Sequence, residues 1–142
     1  MPPSNAFLLH LLTVLVVAIP AWALFSGGRA ASIAAIVFSL ATIASKLVEM
    51  KMNPSQSGIF FLSIDGFMAL SFLVIAMVYS HLWIALMMLS VSLLFCIHAY
   101  YQINDLQLDR TFALASNLAT VVLLVSLAIG VWTSRRRTTE HA

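Results

Sequence analysis

Asp65 stands in the stretch "FLSIDGFMALSF", a carboxylate inside a run that otherwise reads as the middle of an apolar helix. An ionisable side chain at such a place costs about 2.5 to 3.5 kcal/mol on insertion scales, so it requires a partner or a use. His98, in "LLFCIHAYY", is the candidate partner. Burial disfavours the charged carboxylate while a nearby imidazolium favours it, so the two together make a site poised to titrate. Tyr101, Asn117, His10 and Lys46 are the other polar residues that fall near the same end of the apolar runs. These six form the candidate site, and its chemistry suits a proton, a cation, or a small polar or lipid-headgroup ligand.

The elements that must position these residues are long and apolar. The chain has 142 residues, 62% hydrophobic and 8% charged, where an ordinary soluble domain is roughly half apolar and a quarter charged. A hydrocarbon core about 30 Å thick takes about 20 helical residues. Runs of that length cover residues 6–25, 30–49, 59–79, 82–103 and 111–133, with a short basic tail over 134–142. This pattern predicts an all-α, polytopic integral membrane protein: a single domain built as a bundle of five transmembrane helices. The breaks have local causes. "SGGR" stops a helix with two glycines and a charge, "EMKMNPSQSG" supplies charge, Pro54 and Gly58, and "NDLQLDR" is polar throughout. Little more than "SH" joins the third and fourth runs, which predicts a tight antiparallel hairpin. "AWA" at residues 21–23 has the small residues of a leader cleavage site, but no Lys or Arg precedes the run, so it reads as a retained first span.

Depth brings the polar residues together. Asp65 is six residues into the third span, about 9 Å from its start at 1.5 Å per residue. The hairpin turn at Ser80 and His81 sets it opposite Ile97 and His98. His10 lies early in the first span, Lys46 near the same end of the second, and Asn117 early in the fifth, so each span contributes to one layer. Helical phase predicts inward faces of His10, Thr13 and Val17; of Ser32, Ser39, Thr42, Lys46 and Glu49; of Ser90, Phe95, His98, Tyr101, Gln102 and Asp105; and of Asn117, Thr120 and Leu124.

Plainer roles compete for several of these. Ser, Thr and Ala at helical spacing in a span serve mainly as packing devices, so the second-span seam reads as packing before pathway. Lys46 and Glu49 are three apart and suited to pair locally, and His81 sits at a turn. Cys96 reads as a small hydrophobe, the methionines as filler, and Trp22, Trp83 and Trp132 as an interfacial aromatic belt. Lys and Arg counts near the span ends divide as Lys46, Lys51 and Arg110 against Arg29, Arg135, Arg136 and Arg137. The dense triplet points to a cytoplasmic carboxy terminus, and it reads as a membrane-flanking anchor and not a nucleic-acid patch.

Three segments carry a resemblance: the aspartate early in the third span, "FLSIDGFMAL"; the histidine late in the fourth, "LLFCIHAYY"; and the glycine and tryptophan before basic residues, "LAIGVWTSRRR". Over roughly its last two thirds the chain resembles small five-span inner-membrane proteins of bacteria, of the alphaproteobacterial type. The resemblance implies a five-span fold with the aspartate and histidine as its marked positions, and it carries no activity with it.

No HExxH, GxSxG or Gly-rich phosphate loop occurs, and no second aspartate lies within a span, so the reading is not an enzyme. The expected function is a small non-enzymatic inner-membrane protein that self-associates or serves as an accessory subunit of a larger membrane assembly, with lipids and other membrane subunits as partners. Its buried Asp/His site binds a proton, a cation or a small polar or lipid ligand. An ion or proton channel formed by an oligomer is the alternative. A redox subunit holding quinone or a b-type haem, with His10 and His98 as axial ligands, is a second alternative. The sequence leaves the cofactor unknown.

Overall fold

The structure is a computed structural model that describes residues 3–51, 54–104, 106 and 109–139. Long runs of Leu, Ile, Val, Ala and Phe satisfy every backbone polar group within one segment only as helix. Five follow in order: α1 (Pro3–Ser26), α2 (Arg29–Lys51), α3 (Pro54–Tyr79), α4 (Leu82–Ile103) and α5 (Arg110–Thr139). The chain is therefore all-α. Four stretches, Arg29–Lys51, Gly58–Tyr79, Leu82–Ile103 and Arg110–Ser134, are long and apolar enough to cross a membrane. The corresponding stretch of α1, His10–Ser26, is shorter within the described residues.

Two element ends depart from the sequence reading. Pro54 does not sit in a loop but opens α3, and Gly58 lies inside that helix. Proline suits a first helical turn because its missing N–H has no partner there in any case. At the other end, α5 does not stop at residue 133 but continues to Thr139, since Arg is a good helix former and nothing in "SRRRTT" interrupts the ladder.

The turns are short and chemically specific. Ser80 adopts a left-handed backbone, φ 47°, and its N–H returns to the Ala76 carbonyl at 2.9 Å. His81 is extended at φ −101° and ψ 136° and starts α4. Between α1 and α2, the Gly27 N–H bonds the Ala23 carbonyl at 2.9 Å. A Cβ at Gly27 would lie 2.4 Å from that same oxygen, so no larger residue makes this turn unchanged.

The helices close into a ring. Each packs on its chain neighbours, α1 also packs on α5, and α2 reaches α5 across the middle. Small residues allow this approach: Ala30, Ala31, Ala34 and Ala35 bury one face of α2. Phe72, Ile84, Met87, Leu124, Leu127 and Val131 fill the centre. Trp83 belongs to this core and not to an interfacial belt. Gly130 makes the room, since a Cβ there would stand 2.6 Å from the Trp83 ring. Hydroxyls in the helices are satisfied locally: Thr42, Ser63, Ser71, Ser90, Thr120 and Ser126 each donate to the carbonyl four residues back.

Candidate functional site

Asp65 is set on the inner face of α3, one turn past Phe61, one turn before Met68 and two before Phe72 of the core. It is buried, with 6% of its surface exposed, where Ser90 and Ser126 are the other buried polar residues among those described. The α3–α4 hairpin brings His98 beside it, and His98 Nδ1 shares a hydrogen bond with Asp65 Oδ2. The side chains of the pair retain 19% and 8% of their surface, His98 being the more open.

Aromatic rings enclose the imidazole on two further sides. Its centroid lies 6.4 Å from that of Phe61 on α3 and 5.1 Å from that of Phe112 on α5. Phe112 in turn meets Tyr101 edge-on at 4.9 Å. The position of Phe112 is fixed by the helix start: Asp109 caps α5, accepting the Phe112 N–H at 2.8 Å. The Tyr101 hydroxyl donates to the same Asp109 oxygen at 2.9 Å. Those two hydrogen bonds, the backbone one first, hold the Asp109 carboxyl below its ordinary value. Tyr101 thus ties the end of α4 to the cap of α5, its hydroxyl going to Asp109 and not to the buried pair.

Ser116 adds a third polar group that sequence reasoning passed over in favour of its neighbour Asn117. Its hydroxyl is buried with no hydrogen-bond partner among the described residues. It follows Phe112 by one turn on the same face of α5. With Phe112 beside Tyr101 and His98, the antiparallel register brings Ser116 level with the residues just before His98. Ser116 shares its face with Phe112 and with the buried Ala119 and Leu123, which recur at helical spacing, but in so apolar a helix only the packing picks this face over the neighbouring one.

The remaining sequence candidates do not join the layer. Asn117 is exposed, one residue round the helix from Ser116. His10 is exposed on α1, and Val17, on its expected inward face, is 67% exposed. That helix turns its other side inwards, burying Pro20 and Ala23, because nearly every position is apolar and phase carries little information. Since α1 packs on α2 and α5 and not on α4, His10 and His98 do not face each other in one chain, and a haem held between them lacks its geometry here. Lys46 is exposed and pairs with Glu49 at 2.6 Å along its own helix. Half-buried Ser32 and Thr42 donate to the carbonyls of Ala23 and Phe38, as packing devices do. Asp105 lies outside the described residues. Among the described residues no three His, Cys, Asp or Glu gather to hold a metal ion.

Chemically, the arrangement is a carboxyl group and an imidazole joined by a hydrogen bond, with aromatic rings beside the imidazole. No protein-family model, curated protein or solved structure matches the chain.

Proposed function

We propose that the chain is a small, non-enzymatic protein of the bacterial inner membrane, with a cytoplasmic carboxy terminus, whose Asp65–His98 pair is a proton-holding site. It works as a homo-oligomer or as an accessory subunit of a larger membrane assembly. Support for the membrane comes from the outside of the bundle: Phe67, Leu70, Val74, Met77 and Val78 all face outwards on α3, a surface that lipid covers without cost and water does not.

The single observation behind the site is the hydrogen bond between His98 and the buried Asp65, made between α4 and α3. A buried ion pair roughly breaks even against well-packed apolar residues, so stability alone is a poor reason for keeping one. Starting as carboxylate and neutral imidazole, the pair takes up one proton to become carboxylic acid plus neutral imidazole, or carboxylate plus imidazolium, and both forms keep a hydrogen bond between Asp65 and His98. The unpartnered Ser116 hydroxyl at the same level offers a hydrogen bond to the species that arrives.

The test is infrared difference spectroscopy of the reconstituted protein between acid and alkaline pH. The wild type is expected to show carboxyl and imidazole bands that disappear together in Asp65→Asn and in His98→Gln. Identical difference spectra in the wild type and both variants would remove the proposal.

A further inference from the structure

The opposite end of the molecule carries an opening that the Asp65–His98 site does not use. It is a groove of about 340 Å³ between α4 and α5, lined by His81, Leu82, Trp83, Leu86, Ile129, Thr133 and Ser134. Its chemistry is graded. Leu86 and Ile129 make the deeper wall, while His81, Thr133 and Ser134 lie at the mouth, at the start of α4 and near the end of α5. The His81 ring stacks on Trp83 at 6.2 Å and an interplanar angle of 22°, and Trp83 is itself held against Gly130 of α5.

Basic residues gather in the sequence at that end of the bundle. Ser134 abuts the α1–α2 turn, where a Cβ on Gly28 would stand 3.3 Å from its Oγ. The next residue, Arg29, opens α2 and is exposed. Directly after Ser134, α5 continues through Arg135, Arg136 and Arg137. Among the described residues the carboxylates Glu49, Asp65 and Asp109 belong to the other half of the bundle, and Glu140 lies outside the described residues. A groove with an apolar wall and with hydroxyls and an imidazole at its mouth, at the end of the bundle where Arg29 opens α2 and the arginine triplet continues α5, matches one molecule: a phospholipid with an anionic headgroup. Its phosphate meets that basic end and its acyl chain follows Leu86 and Ile129.

We infer that this groove is a binding site for an anionic phospholipid, seated between α4 and α5 on the side carrying the arginine triplet. The inference rests on the reading of the chain as a membrane protein. It gives the triplet a more specific role than anchoring.

The protein, reconstituted in nanodiscs holding equal amounts of phosphatidylglycerol and phosphatidylcholine with the same acyl chains, is released into a native mass spectrometer. Retained lipid is expected to favour phosphatidylglycerol by at least about fivefold, the effect of a single well-placed cation at an anionic surface. The preference should fall to the bulk ratio in Ile129→Trp and in Leu86→Trp, which fill the groove from positions 41% and 39% exposed, and in the triple variant Arg135→Gln/Arg136→Gln/Arg137→Gln. No preference in the wild type overturns the site. A preference that survives both groove-filling variants overturns it too, since the arginines then act as a general basic surface. A chain that never enters the nanodisc sinks the membrane reading as well, which separates that failure from an inserted chain without selectivity.

Discussion

At the scale of single residues, the Asp65–His98 hydrogen bond and the Asp109 cap are both carboxylate contacts, yet they do different work. Asp65 is enclosed by helices and contacts a titratable ring, which suits proton chemistry. Asp109 is open to solvent, and its hydrogen bonds from the Phe112 N–H and the Tyr101 hydroxyl hold it below the ordinary carboxylate range. A group whose carboxyl is lowered on folding contributes stability at pH values above the unfolded value and loses it as pH falls through the folded value. The start of α5 should therefore loosen in acid, below the usual carboxylate range. Hydrogen exchange at the Phe112 amide, corrected for its intrinsic pH dependence, is expected to speed up several-fold there. Asp109→Ala should show the fast rate at every pH. An acid-insensitive Phe112 amide would mean that the cap does not hold this helix start. Because Phe112 borders His98, the same measurement reports on one wall of the buried site.

At the scale of elements, the ring of helices depends on where large side chains meet small ones. Trp83 of α4 is accommodated only because Gly130 of α5 lacks a Cβ, which would lie 2.6 Å from the indole. The indole is a rigid, buried body, so overpacking there costs about 1 to 3 kcal/mol. Gly130→Ala should lower stability in reversible detergent unfolding by that amount, and Gly130→Ala combined with Trp83→Leu should recover much of it. Gly58 offers the contrast. A Cβ there would meet Gln102 Oε1 at 1.7 Å, the far end of a flexible side chain that can turn aside, so Gly58→Ala should cost less than Gly130→Ala. Equal losses would place the constraint in the helix backbones and not in the indole.

At the scale of the whole molecule, five antiparallel helices put Lys51 at one end of the bundle and Ser80 at the other. The outward-facing Leu, Val, Phe and Met leave those ends as the polar surfaces. With Cys96→Ser as background, Lys51→Cys and Ser80→Cys should react with a membrane-impermeant maleimide from opposite sides of sealed vesicles. On the orientation proposed above, Ser80→Cys, at the same end of the bundle as residues 135–137, is expected to label from the cytoplasmic side. Labelling of both from one side would rule out the antiparallel crossing of α3. This arrangement also sets the Asp65–His98 pair in one half of the bundle and the groove between α4 and α5 at the other end.

Sequence alone determined the all-α class, because uninterrupted apolar runs can satisfy their backbone only as helices, and the α4 limits at residues 82–103 follow from polar residues on either side. It also determined the Asp65–His98 register, since a two-residue turn at Ser80 and His81 leaves the two helices little freedom to slide. Tertiary structure decided which way each helix faces. In a segment apolar all round, phase is only weakly written, so His10 and Asn117 turned outwards while Ser116 turned in. It decided the place of Trp83 as well, because an indole suits an interface or a core equally until a glycine on a helix distant in sequence makes room for it. Local chemistry sets what each segment becomes; only packing between segments sets which of its faces is used.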